Sequence, residues 1–160
     1  MPTECKYLIN VRVKFFRNAS GLYNLAELSP ATEGSAGFDL RADLDEKGVS
    51  VAPGGRCLLN TGLALEPLRE GVAAFIYSRS GLGGINGLVV AQGVGVIDPD
   101  YRGEIRVPLL NTGGETLGLQ RGDRVAQMIF QPFYRADFLE AEELGATRRG
   151  GGGFGHTGKN

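Results

Sequence analysis

The sequence predicts an all-β domain with very little helix, and three observations predict it. Apolar residues recur with period two, turn signals interrupt the chain at short intervals, and helical periodicity hardly appears. Glycine supports the same reading, with 26 in 160 residues, well above an ordinary share of about 7%.

Taken in order, Val11, Val13 and Phe15 share one strand face, with Arg12, Lys14 and Phe16 on the other. Residues 24–28 are a candidate for a single helical turn, too short to stand alone. Pro53-Gly54-Gly55 closes a turn, and the apolar run Val72–Tyr77 leads into a second short helical candidate at 78–83. After Asn86-Gly87, glycines 93 and 95 suit a tight hairpin over residues 92–97. Ile105, Val107 and Leu109 alternate again, followed by the turns Asn111-Thr112-Gly113-Gly114 and Arg121-Gly122-Asp123. Residues 124–131 form a last strand, with Val125, Gln127 and Ile129 on one side and Ala126, Met128 and Phe130 on the other. Many short strands with close turns indicate a barrel or sandwich. Residues 148–160 hold six glycines around Phe154 and His156 and cannot bury enough surface to fold alone. Two readings of that tail stand: a flexible, disordered end, or a clamp in which Arg148-Arg149 takes a phosphate and the aromatic covers a flat ring.

Composition narrows the function. With 17 Lys and Arg against 18 Asp and Glu, the formal charge of −1 gives no bulk attraction to nucleic acid or an anionic membrane. No apolar run approaches the roughly 18 residues of a membrane span. Glu4, Lys6, Asn10 and Arg12 break up the first segment, so a signal peptide is not expected and a cytoplasmic setting is. Cys5 and Cys57 make no disulfide framework, and with His156 as the sole histidine a zinc centre or a Ser-His-Asp triad is disfavoured.

Some motifs are decoys. Gly153, Gly158 and Lys159 approach a P-loop, and Gly150, Gly152 and Gly155 match G-x-G-x-x-G, but neither stands in a strand–helix context. Asn18-Ala19-Ser20 is a sequon expected to stay idle. Two other segments have more chemical content. In Tyr77-Ser78-Arg79-Ser80-Gly81-Leu82 an apolar strand ends in a cation, hydroxyls and a glycine, which suits phosphate oxygens, though taken alone the segment reads more simply as a polar turn closing a strand. In the run from Gln92 to Gly103, Asp98 follows two β-branched residues and stands near Tyr101; it is either a general base for water or a solvent-facing start of the Asp98-Pro99-Asp100 turn.

Together these segments resemble the trimeric dUTP diphosphatase (dUTPase) family, in five blocks in that family's order. The blocks are Ala36-Gly37-Phe38-Asp39-Leu40-Arg41-Ala42; Arg79-Ser80-Gly81-Leu82; Gly95-Val96-Ile97-Asp98 through Asp100-Tyr101-Arg102-Gly103; Arg121-Gly122-Asp123-Arg124-Val125-Ala126-Gln127; and Arg149-Gly150-Gly151-Gly152-Gly153-Phe154-Gly155. The resemblance implies a jelly-roll-like β-barrel over 1–147 and a C-terminal arm over 148–160 that closes over a neighbouring subunit's site in a homotrimer. It implies hydrolysis of dUTP to dUMP and pyrophosphate, which limits uracil incorporation into DNA and supplies dUMP for dTMP synthesis. Mg²⁺ would be bound mainly by the substrate's phosphates.

Residue roles are implied in the same way. Asp98 would activate the water that attacks the α-phosphorus; Arg79, Ser80, Gly81 and Gln127 would hold phosphate oxygens; Asp39 would steady the metal's water shell. Tyr101 would lie against the deoxyribose, and Gln92, Gly95, Val96 and Ile97 would belong to the hairpin whose backbone reads uracil. Arg106 stands where a side chain approaches the nucleotide, Arg149 would reach the γ-phosphate and Phe154 would stack on the base. Tyr77-Ser78 leads into Arg79 where many relatives have proline, and Gln92 stands where Asn or a small polar residue is common. The rivals are a dCTP deaminase, including the bifunctional kind, and a non-catalytic nucleotide sensor of the same fold.

Overall fold

A computed structural model describes residues 8–17, 19–23, 25, 28, 30–32 and 34–153. Among them lie eleven strands: β1 (Val11–Phe15), β2 (Phe38–Arg41), β3 (Val49–Val51), β4 (Arg56–Asn60), β5 (Leu63–Pro67), β6 (Val72–Tyr77), β7 (Leu88–Val90), β8 (Gly95–Ile97), β9 (Arg106–Asn111), β10 (Leu117–Leu119) and β11 (Arg124–Pro132). Among the described residues, helix is confined to a 3-10 turn at Ala19–Gly21 and a π-turn at Ser80–Ile85. The helical candidate at 24–28 lies largely outside the described residues, as does the tail from 154 on.

The ladders run β2-β11-β6-β8, β4-β9-β7, β1-β5 and β10-β3, all antiparallel. No described strand pairs with its immediate neighbour in sequence, so the chain crosses between sheets after every strand. This is the jelly-roll way of closing a β-barrel core. The alternation in β9 holds: Ile105, Val107 and Leu109 are at most 1% exposed while Arg106 faces outward. In β11 the alternation is broken, since Val125 and Ala126 are both buried. A register shift against β2 between Arg124 and Ala126 explains it, because a bulge turns two successive side chains inward.

The expected hairpin over 92–97 is corrected by the sheet order. Gly93, at φ +83°, does close a tight turn by donating its N–H to the Val90 carbonyl (2.9 Å). The strands on either side then part company, β7 pairing with β9 and β8 with β6. Period two identifies strands but not their partners.

Buried polar groups fasten the loops. Asn111, fully buried, donates from Nδ2 to the Val51 and Glu115 carbonyls (2.8 and 2.7 Å) and accepts the Gly113 N–H (2.9 Å), tying the end of β9 to β3. Tyr23 sends its hydroxyl to the Arg41 carbonyl (3.1 Å) and takes the Arg41 N–H (2.7 Å), holding the last residue of β2. Burial pushes this phenol up to about 12. Because the folded value is raised, its stabilising effect is complete below the ordinary value of 10 and is lost as pH rises through about 12. Tyr23→Phe strands both Arg41 groups, and a loss of about 2 kcal/mol is expected. Thermal melting at neutral pH and fixed protein concentration checks it; an unchanged midpoint would show that water replaces the hydroxyl at no cost.

Candidate active site

Asp39 in β2, Gln127 in β11 and Tyr77 in β6 stand opposite one another in register, so their side chains share one face of the four-stranded sheet. The end of β6 carries the next residues into this row. Arg79 donates from Nε to Asp39 Oδ1 (2.7 Å) and from Nη1 to the Arg124 carbonyl (3.3 Å), while Arg124 Nη1 donates to Asp39 Oδ2 (3.2 Å). One carboxylate thus holds two guanidinium groups side by side. Gln127 Nε2 donates to the Ser78 carbonyl (3.0 Å), and the Ser78 hydroxyl accepts the Val90 N–H (2.9 Å), so the loop is tied to both flanking strands. Tyr77-Ser78 therefore enters the loop by a hydrogen-bonded path that proline could not make at 78, since Ser78 supplies its side chain. Gly37 is needed beneath the row, where a Cβ would sit 3.0 Å from the Met128 carbonyl and 3.6 Å from Gln127 Oε1.

These groups line a recess of about 310 Å³ with Ser80 and Ser35. Gly81 is exposed beside Ser80 in the π-turn. Two cations, a hydroxyl and an amide around one bridging carboxylate form a polyanion site whose charge is partly neutralised in advance. Asp39, expected to face a metal's water shell, has both oxygens engaged by guanidinium groups of its own chain.

A second recess, about 280 Å³, is lined by Leu58, Val96, Ile97, Asp98, Tyr101, Glu104 and Arg106. It forms at the edge of the same sheet, where β8 pairs Ile97 with Ala74 and Gly95 with Ile76. Gly95 is buried there, and a Cβ on it would lie 3.1 Å from Ile76 Cβ, so the strand can approach this closely only as glycine. Gln92 and Val96 are exposed. The Asp98 side chain opens to solvent at the head of a compact turn: the Tyr101 N–H donates to the Asp98 carbonyl (3.1 Å), the Tyr101 hydroxyl to the Glu104 carbonyl (3.0 Å), and Arg102 Nη1 to the Pro99 carbonyl (2.7 Å). Gly103 lies under the Tyr101 ring, and a Cβ there would fall 2.6 Å from Cζ.

Within one chain, then, Asp39, Arg79, Ser80 and Gln127 come together, and Val96, Ile97, Asp98, Tyr101 and Arg106 come together, but they line different recesses. Arg149 lines neither; its Nε donates to the Gly152 carbonyl (2.8 Å) in a turn of the arm. Phe154 lies outside the described residues. A larger recess of about 630 Å³, between Pro67–Gly71 and Phe133–Arg135, holds none of the candidate residues.

Two participants escaped the sequence reading. Arg124 shares Asp39 with Arg79, and its signal was its place three residues before Gln127 in the fourth block. Glu104 lines the Asp98 recess, immediately after Gly103. Its partner Arg17 is held charged well above the usual guanidinium range, first by Glu104 and then by Asp43.

Comparison with known proteins follows from this geometry. The family model described as dUTPase matches residues 24–158. The chain is 52% identical over 148 residues to the deoxyuridine 5'-triphosphate nucleotidohydrolase of Anaplasma marginale, covering 92% of this chain and 99% of that protein. It is 50% identical over 128 residues to the enzyme of the same name from Desulfitobacterium hafniense, covering 80% and 84%. Among solved structures, the Staphylococcus bacteriophage 80alpha dUTPase G164S mutant with dUpNHpp superposes with a TM-score of 0.80 at 20% identity, over 93% of this chain and 98% of that one.

Proposed function

This chain belongs to the dUTPase family, and on that premise we propose that it hydrolyses dUTP to dUMP and pyrophosphate in a site built from several copies of the chain. One observation carries the reading. The phosphate-holding groups and the carboxylate available as base line separate recesses of a single chain, each incomplete alone. A homotrimer with shared sites brings one chain's Arg79 recess to another's Asp98 recess. The chain after β11 supports assembly, because Tyr134, Phe138, Leu139 and Leu144 are 86% or more exposed in the isolated chain and need a cover.

In the reaction, Asp98 accepts a proton from water as its oxygen attacks the α-phosphorus; the bond from that phosphorus to the bridging oxygen breaks, and pyrophosphate leaves. Arg79, Ser80, Gly81 and Gln127 hold phosphate oxygens, with Arg124 beside them. Arg149 reaches the γ-phosphate from a neighbour's arm, and Phe154 covers the base. The backbone of 95–97, with Gln92 nearby, reads uracil, and Arg106 lies along the nucleotide. Among the described residues no three His, Cys, Asp or Glu gather as a ligand cage. With Asp39 already bridging two cations, the donor set fits a Mg²⁺ that would arrive on the triphosphate, Asp39 being the residue that would steady its water shell. When bound, that ion neutralises charge on the phosphates. The proposed setting is cytoplasmic, as expected from a first segment broken up by Glu4, Lys6, Asn10 and Arg12.

Pyrophosphate release with Mg²⁺ from dUTP, dCTP, dTTP and UTP in parallel tests the reading. Release from dUTP alone is expected; ammonia from dCTP would move the assignment to a deaminase. Tyr101→Ala removes the ring that excludes a 2′-hydroxyl, so the dUTP:UTP ratio of kcat/KM should fall roughly 10- to 100-fold. An unchanged ratio would take sugar selection away from Tyr101.

A further inference from the structure

Glu104 joins the Asp98–Tyr101 turn to the body of the barrel. Its main-chain carbonyl receives the Tyr101 hydroxyl at 3.0 Å. Its carboxylate accepts the Gly62 N–H (2.8 Å) and faces the Arg17 guanidinium as a fork, Nη1 to Oε2 at 3.1 Å and Nη2 to Oε1. Arg17 Nε donates in turn to Asp43 (2.8 Å), and Asp43 also binds Arg121 (3.2 Å). The Asp43 and Glu104 side chains are only 6% and 15% exposed while Arg17 is 49% exposed, so the carboxylates are held in place on the barrel side and the guanidinium stays in contact with solvent. Arg17 itself sits at φ +51°, a left-handed backbone that side chains rarely adopt. The fork reaches Glu104 and Asp43 from that strained position.

We infer that Arg17 and Glu104 are a positioning pair: they fix where Tyr101 lies and thereby set the preference for deoxyribose over ribose, without touching the substrate. The inference rests on the functional reading above and deepens it. Two contacts hold the Tyr101 ring, Gly103 under its face and the Glu104 carbonyl at its hydroxyl. The bidentate fork fixes Glu104 in direction as well as distance, which a single ion contact would not. Loss of the fork lets the 98–104 turn drift, and a ring displaced by a fraction of an ångström admits a hydroxyl.

The test compares Arg17→Met, Arg17→Lys and Glu104→Gln with Lys14→Met, an exposed change on β1. Two readouts are taken: kcat/KM for dUTP and for UTP, and hydrogen exchange at the Tyr101 and Gly62 amides. Arg17→Met and Glu104→Gln should each lower the dUTP:UTP ratio about tenfold and speed exchange at both amides. Arg17→Lys, which keeps the charge without the fork, should recover part of the ratio, and Lys14→Met should leave both readouts as they were. An unchanged ratio in both fork variants overturns the inference, as does an equal fall in Lys14→Met, the mark of general loosening. If Arg17→Met does not fold, Glu104→Gln reads the same bond from its other side. Wild-type protein without dUTP turnover would sink the functional reading, whereas unaltered Tyr101 protection in the fork variants would sink this one whatever the turnover.

Discussion

Asp98→Asn is expected to lower dUTP turnover by roughly 10²- to 10⁴-fold while affinity for a non-hydrolysable dUTP analogue stays close to that of the wild type. The amide keeps the carboxylate's shape but cannot take a proton from water. The side chain is exposed at the head of a turn whose bonds are made by main chain, Tyr101 and Arg102, so folding should not suffer. Single-turnover pyrophosphate release and calorimetric binding separate the two effects. Near-wild-type turnover would remove Asp98 as the base. A mixing experiment sharpens the point. Asp98→Asn and Arg79→Ala chains, each inactive alone, should regain activity when unfolded and refolded together, because some shared sites then draw an intact residue from each chain. No recovery would mean that both residues serve from one chain.

Deletion of residues 148–160 should produce the second largest effect, a turnover loss of about 10²-fold or more with the proposed trimer intact. The described part of the arm, up to residue 153, is almost wholly exposed and its hydrogen bonds are internal to it, from Thr147 to Gly152. Its removal therefore costs the barrel little. What is lost is Arg149 and Phe154, proposed to close over a neighbour's substrate and exclude water. Sedimentation equilibrium and a pyrophosphate assay on the truncated chain check both halves. Dissociation of the truncated protein to single chains would show instead that the arm holds the assembly together.

The long strands were legible in the sequence because they contain more than one period: β1, β9 and β11 fall where alternation puts them. Strands of three residues, such as β3, β7 and β10, contain barely one period and exist through their partners. The same limit explains the misplaced hairpin, where the turn at Gly93 was visible but the choice of sheet was not. At the site, the motif blocks gave residue types, and the fold sets Asp39 opposite Gln127 and brings Arg79 to Asp39 from beyond the end of β6. The division into two recesses depends on crossovers between sheets, which local pattern does not encode. Arg17 and Glu104 lie 87 positions apart with only exposed-looking charge to mark them. Nothing short of the fold brings them together.

The glycine at 95, seated against Ile76 with Val94 and Val96 turned outward, has an evolutionary consequence. An edge that recognises its base through main-chain atoms, as proposed for uracil, would be inherited as a path and not as a set of side chains. A codon change at 94 alters what solvent meets and would leave the pattern of donors and acceptors unaltered, whereas one at 96 also changes the lining of the Asp98 recess. Drift is therefore open at position 94 and closed at Gly95, where a Cβ would meet Ile76.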